Sequence, residues 1–421
     1  MKKSVKIREI IFEIIYEIYL KNTNFEESYL NFTKNTKLND QERSMVYNIV
    51  LNSIRSNFFI QSILKNYLRK RTSVKIKILL ITAITQILYL DFKVYAVTND
   101  TVEVAKLKNL NPSLVNSLLK NIINDSEIIN KNKIDEKSIP IWFKKTLKKN
   151  KIEINKIIKS VSNEPSLHIV FKNKIFLKNF NEEHIKTSET SAFIREKKKI
   201  TEIQNYESGE WWVQDFSSML PIHLSPEIKN KKILDICSAP GGKAFQVLSK
   251  GNEVKLNDIN VKRTQILIAN LKRLNFNVDV SNFDGLEISE NKKFNVVIID
   301  APCTGIGTIR RNPEILFKKK PPNCDHLIKK QKDLINKAAK LLKNEGILIY
   351  MVCSFLYEET KEIKRYFLDT NKNFSQLKFQ SCKQTELESF IDKDDDIYCL
   401  PKKFKDFMID GFYGVKFIKN D

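Results

Sequence analysis

Glycine is missing from the first 208 residues of this 421-residue chain: all ten glycines lie at or after Gly209, and Pro112 is the only proline before Pro140. A stretch that avoids both helix breakers for so long reads as helical, with Asn, Asp, Ser and Thr making its turns. Cysteine is scarce as well. The six cysteines are scattered and form no CxxC pair, which excludes a disulfide scaffold and a zinc ribbon. His168, His184, His223 and His326 share no ligand spacing, so no metal site is expected. No apolar run is long enough to span a bilayer; the longest, Ile78–Leu90, contains Thr and Gln. Glu13 and Glu17 interrupt the segment where a signal-peptide core would lie. These absences together lead us to expect a soluble protein of a reducing, cytoplasmic compartment, and by default a monomer.

Acidic residues are outnumbered. The chain has 72 Lys+Arg against 50 Asp+Glu, a formal net charge of +22, which favours a polyanionic partner such as nucleic acid. The excess is spread, with 22 basic against 14 acidic residues over 1–140 and 16 against 11 over 141–230, so no single tail accounts for it. Runs such as Arg69-Lys70-Arg71 are as often merely solvated as they are contacts. The length suggests two or three domains.

Periodicity divides the chain into three. Ile7, Ile10, Ile11, Ile14 and Ile18 share one helical face. Asn39-Asp40 opens a helix over Gln41–Ser56, and further helices are expected over Lys75–Leu90 and Thr98–Leu107. Residues 1–138 therefore read as an all-α bundle. Residues 139–210 read as a small α+β connector: a Lys-rich helix, Ile141–Ser160, then alternating runs at Ser166–Phe171, Lys174–Leu177 and Lys199–Glu202. From 211 to 421 short apolar runs at Lys232–Ile236, Glu253–Leu256, Asn277–Val280, Phe294–Asp300 and Gly346–Val352 alternate with amphipathic stretches. That rhythm belongs to a doubly wound α/β, Rossmann-like parallel sheet.

The first of these strands runs into Cys237-Ser238-Ala239-Pro240-Gly241-Gly242-Lys243. Two glycines there let a ligand approach the backbone at a helix N-terminus. Neither GxGxxG nor GxxxxGK[ST] is present, which disfavours a dinucleotide or nucleoside triphosphate. Asp258 ends the second strand, where an acid can accept from both hydroxyls of a ribose, and Asp284 follows the third, where it can meet an adenine amino group. Acids at successive strand ends without a phosphate clamp describe a nucleoside site, and S-adenosylmethionine fits it. The fourth strand ends in Asp300-Ala301-Pro302-Cys303-Thr304-Gly305-Ile306-Gly307 and the fifth in Val352-Cys353-Ser354. Two cysteines at the carboxyl ends of neighbouring strands are hard to assign to packing.

Those motifs, with Arg310-Arg311-x-Pro313, Val213-Gln214-Asp215-Phe216-Ser217-Ser218 and Asp410-Gly411-Phe412-Tyr413, resemble the RNA 5-methylcytosine methyltransferases of the Sun/Nol1/Nop2 family from about Trp211 onward. The helical front resembles a NusB-type RNA-binding domain. Arg8, Leu38–Arg43, Ile78–Leu90, Ala96–Lys106 and Val115–Lys120 carry that likeness. The family suggests that the connector is ferredoxin-like.

The resemblance implies methylation of carbon-5 of a cytosine in small-subunit (16S) rRNA, free or in an early precursor. It implies Cys353 as the nucleophile that adds to carbon-6, Asp300 at the ring's N3 edge and Cys303 in product release. Lys243 would position ligand or substrate. The cofactor would lie along residues 237–243 with Asp258, Arg263, Asp284 and Asp300, and Arg310 and Arg311 would meet RNA. A carboxyl that donates to N3 must be kept protonated, which burial can supply. Two residues depart from the family pattern: Val352 replaces a Thr before the nucleophile, and Thr360 replaces an Asn. The same chemistry on tRNA is one alternative. A non-catalytic assembly factor is another, against which the joint retention of Asp300, Cys303 and Cys353 speaks.

Overall fold

A computed structural model describes residues 2–421 except 69–71, 130–132, 135, 162, 197, 290–292 and 380–384; the Arg69–Arg71 run and Cys382 lie outside the described residues. The chain forms two compact units, residues 1–163 with 309–322, and residues 164–308 with 323–421.

In the first unit the isoleucine face of helix Lys3–Lys21 is buried as its spacing requires. The helix Asp40–Arg55 starts on a capping box: Asn39 Oδ1 accepts the Glu42 N–H at 2.9 Å and Glu42 Oε2 accepts the Asn39 N–H at 2.9 Å. The apolar run expected as one helix is α-helical only over Val74–Ile84 and continues as a π turn over Thr85–Tyr89. The helix expected from Thr98 already begins at Val94. Arg8 Nη1 lies 2.6 Å from Asp100 Oδ2, tying the first helix to this one. The Lys-rich stretch expected as a single helix is two, Ile141–Lys149 and Ile154–Val161, parted at Lys151, whose φ is +56°. Residues 309–322, although far along the chain, belong to this unit. Lys318 Nζ donates to Asn24 Oδ1 at 2.6 Å, the Lys319 N–H to Tyr19 O at 3.3 Å, and the Phe317 ring sits 5.6 Å from that of Tyr19.

The second unit holds two main sheets. The smaller is antiparallel, β1 (His168–Phe171), β2 (His184–Ser188), β3 (Ser191–Ile194) and β4 (Trp211–Val213), in the order β2-β3-β1-β4. Two runs expected as strands are not. Lys174–Lys178 is a helix, because Asn173 Oδ1 takes the N–H groups of Ile175 and Phe176 and so caps it; Ile200–Glu202 is a 3₁₀ turn.

The larger sheet contains β5 (Lys232–Asp235), β6 (Glu253–Asn257), β7 (Val280–Ser281), β8 (Phe294–Asp300), β9 (Leu342–Val352), β10 (Phe374–Leu377), β11 (Ile397–Cys399) and, after a separate hairpin of β12 (Lys402–Phe404) and β13 (Phe407–Ile409), β14 (Phe412–Lys419). The order is β10-β14-β9-β8-β5-β6-β7, with β11 paired to β14. Strands β5 to β9 run parallel, and β14 enters antiparallel beside β9. The third parallel strand is shorter and later than its apolar run suggested. From β5 the chain moves to one side through β6 and β7, then returns on the other through β8 and β9. Their carboxyl ends therefore flank a switch point, the usual place for a ligand crevice. Among the described residues no helix is long and apolar enough to cross a membrane.

Candidate active site

The switch point gathers the residues singled out by sequence. After β5 the chain turns through Cys237–Gly241 into helix Gly242–Leu248. Gly241 has φ +118°, and a Cβ there would meet the Phe245 ring at 2.1 Å, so glycine is required. Ser238 is held on β6 by its N–H and hydroxyl, both donating to Asn257 O at 3.0 and 3.1 Å. Asp258 is buried and braces the turn: Oδ2 accepts the Ala239 N–H at 3.0 Å and Oδ1 the Asn260 N–H at 2.9 Å. Arg263 donates to the Ala239 carbonyl. Asp284 caps the turn Gly285–Glu287, with Lys330 Nζ 4.0 Å from its Oδ2.

Asp300 and Lys243 form a pair, Nζ to Oδ2 2.7 Å, and Lys243 also lies 5.0 Å from the centre of the Phe412 ring. Burial, expected at Asp300, falls instead on Asp235, because Asp300 keeps 27% of its side-chain surface while Asp235 is 1% exposed. Neither oxygen of Asp235 has a well-formed hydrogen bond; the Cys237 N–H contributes only weakly. Burial first, then the charge of Asp300, pushes the Asp235 carboxyl from 3.8 up to about 8.

One strand further, Cys303 Sγ and Cys353 Sγ are 3.2 Å apart, both half-buried. The Cys303 thiol is pushed up by its hydrogen bond with Cys353, by burial and by the charges of Cys353 and Glu359. The loops carrying the two sulfurs are joined by the Gly307 N–H, which donates to Cys353 O at 3.0 Å.

The family model for 16S rRNA methyltransferase RsmB/F matches residues 221–418, and that for the NusB family matches residues 5–124. Residues 221–418 thus form an RsmB/F-type methyltransferase domain and residues 5–124 a NusB-type domain. The chain is 34% identical over 38% of its length to the ribosomal RNA small subunit methyltransferase B of Photorhabdus laumondii, which that match also covers to 38%. To the probable ribosomal RNA small subunit methyltransferase B of Bacillus subtilis it is 24% identical over 98% of both chains. The crystal structure of PH0851 shares the fold over 100% of this chain and 99% of its own, with TM-score 0.71 at 18% identity. That of NSun6 from Pyrococcus horikoshii with SFG covers 66% of this chain and 97% of its own, with TM-score 0.55 at 17% identity. The fold is thus a NusB-type helical domain followed by a Rossmann-like methyltransferase sheet.

Not every residue singled out by sequence lines the crevice. Arg310 is 1% exposed, and its carbonyl accepts from Arg55 Nε at 3.4 Å inside the helical unit. It is a core residue and presents no surface to RNA; Arg311 beside it is exposed. Sequence reasoning missed Gln214, which faces Gly242 and joins Trp212 Nε1 (2.9 Å) to Gln246 Oε1 (2.7 Å). It missed Lys330 too, a residue on a long charged helix with nothing to mark it. Asp235 carried a signal, since it opens the Gly-Gly turn.

The Asp235 carboxyl makes stability depend on pH. Between 3.8 and about 8 the folded protein holds a proton that the unfolded chain has released. Stability from this group is complete below that window and falls as pH rises through it, at the steepest by about 1.4 kcal/mol per pH unit. Asp235→Asn has nothing to titrate. Thermal melts of the ligand-free protein at pH 5, 7 and 9 are expected to fall less for this variant, which should melt above wild type at pH 9.

Proposed function

We propose that this chain methylates carbon-5 of a cytosine in small-subunit (16S) rRNA, using S-adenosylmethionine and a transient bond between Cys353 and carbon-6 of the ring. The paired sulfurs of Cys303 and Cys353 at adjacent strand ends, 3.2 Å apart and beside the Asp300–Lys243 pair, carry this reading. S-adenosylmethionine, when bound, supplies an electrophilic methyl group. The turn 237–243 with Asp258, Arg263, Asp284 and Asp300 would hold it.

Carbon-5 of cytosine is a poor nucleophile until a thiolate adds to carbon-6. Cys353 supplies that thiolate, and the negative charge pushed into the ring develops at N3. Asp300 faces that edge, with the Lys243 ammonium 2.7 Å behind it as the source of positive charge and of a proton. After methylation the carbon-5 proton passes to water, its C–H electrons form the carbon-5–carbon-6 double bond as the Cys353–carbon-6 bond breaks and the thiolate is restored, and N3 returns its proton to the Asp300–Lys243 pair, with Cys303 assisting release. The base must be single-stranded or extruded to reach the sulfur. In the same reading residues 1–138 are the RNA-binding arm, 139–210 a connector and 211–421 the catalytic part. Arg311 meets RNA, and the protein works as a cytoplasmic monomer.

The test is transfer of labelled methyl from S-adenosylmethionine to protein-free small-subunit rRNA, with bulk tRNA in parallel. Label recovered as 5-methylcytosine in rRNA is the expected result. Label in tRNA alone overturns the substrate, and label in neither, with cofactor bound, favours an assembled precursor particle or a binding role.

A further inference from the structure

Glu359, in the acidic pair Glu358-Glu359 after the nucleophile, is 0% exposed. Its oxygens accept from the residue that follows Cys303: Oε1 from the Thr304 N–H at 2.8 Å, Oε2 from the Thr304 hydroxyl at 2.6 Å. Gln331 Nε2 reaches the same Oε1 at 3.1 Å and the Pro302 carbonyl at 2.9 Å. The backbone on both sides of Cys303 is therefore tied to one carboxylate, directly at residue 304 and through Gln331 at residue 302. Tyr350 on β9 closes the arrangement by donating its hydroxyl to the Glu359 carbonyl at 2.9 Å. A carboxylate removed from water is costly even when hydrogen-bonded, and a neutral amide would fill the same space more cheaply. What the charge adds is its field at the neighbouring sulfur, where it acts among the causes that push the Cys303 thiol up.

We propose that Glu359 is the positioning residue that separates the roles of the two cysteines: it fixes the Cys303 sulfur against that of Cys353 and disfavours negative charge there, so that the thiolate resides on Cys353. This rests on the reading of Cys353 as nucleophile, but its test needs neither RNA nor methyl transfer. The full chain is treated with iodoacetamide across pH 6.5 to 9, and alkylation at Cys303 and at Cys353 is followed by peptide mass spectrometry and read as their ratio. In wild type Cys353 is modified well ahead of Cys303. In Glu359→Gln the amide can still accept from the Thr304 N–H and donate to its hydroxyl, so geometry is kept while charge is lost. Alkylation of Cys303 relative to Cys353 is expected to rise about fivefold and to set in at lower pH. A ratio within twofold of wild type, with unchanged melting, overturns the proposal. If Glu359→Gln does not fold, Thr304→Val decides. Loss of one hydrogen bond should raise the ratio about threefold, while Thr304→Ser, which keeps the hydroxyl, restores it; no change in Thr304→Val overturns the positioning. A wild-type protein that alkylates as expected but transfers no methyl group to rRNA would fail the functional reading alone.

Discussion

Replacing Cys353 with alanine is expected to lower methyl transfer by about 10⁴-fold or more, to background, because addition to carbon-6 has no substitute route and nucleophile deletions elsewhere are of that size. Cys303 is placed to compete, its sulfur 3.2 Å away. In the wild type its largest burden is the hydrogen bond with Cys353, followed by burial. The alanine variant removes the first and keeps the second, so any residual activity should depend on Cys303 and vanish in the double variant Cys303→Ala/Cys353→Ala. Cofactor binding by calorimetry should stay within about threefold of wild type, since Cys353 is not among the residues proposed to hold the cofactor. Methylation within tenfold of wild type would remove Cys353 from its role. Cys303→Ala has a different expected outcome: the adduct forms but is released slowly, so a protein–RNA complex that survives denaturing electrophoresis should accumulate. The two variants thus separate making the bond from breaking it.

How much of this was legible in the sequence depends on the range of the interaction concerned. The five parallel strands announced themselves as apolar runs, and the Gly241-Gly242 turn as a place where no side chain fits. The cysteines were legible because each ends such a run. Local chemistry misled where a single cap outweighed an alternating pattern, as when Asn173 converts Lys174–Lys178 from strand to helix. Contacts across hundreds of residues left no trace. Nothing in Arg310 or Phe317 says that residues 309–322 pack with a bundle that begins the chain. Glu359 was hidden for a similar reason. Its partners, Thr304 and Gln331, come from two other elements. The departures at Val352 and Thr360 are both accommodated in buried positions: Val352 packs in the core, and the Thr360 hydroxyl donates to Leu356 O at 2.7 Å.

Gly307→Ala should be the most damaging single methyl group that can be added to this site. Gly307 donates its N–H to Cys353 O at 3.0 Å, and its carbonyl accepts the Gly411 N–H at 2.8 Å. One residue thereby clasps the loop after β8 to the loops at the end of β9 and the start of β14. A Cβ on Gly307 would fall 2.0 Å from Gly411 O and 2.9 Å from Cys353 O, both backbone atoms that cannot swing aside. The clasp has to open, and the cost is expected to be about 3 kcal/mol or more. For the unit that carries the site this corresponds to a melting point lower by roughly 6–12 °C. Gly251→Ala is the control. That glycine, unlike Gly307, has positive φ, +76°, and its added Cβ would meet only the Asn230 Oδ1 at 3.3 Å. Its cost is that of backbone conformation alone, about 1 kcal/mol, and it lies away from the crevice, so methyl transfer should follow wild type below its melting point. Gly307→Ala, by contrast, should lose activity even at temperatures where it remains folded, because the displaced atom is the carbonyl of the nucleophile itself. A Gly307→Ala protein that melts within 2 °C of wild type and retains full transfer would mean that the three loops have slack. The 3.2 Å approach of the two sulfurs would then have to be maintained by Glu359 and its partners alone.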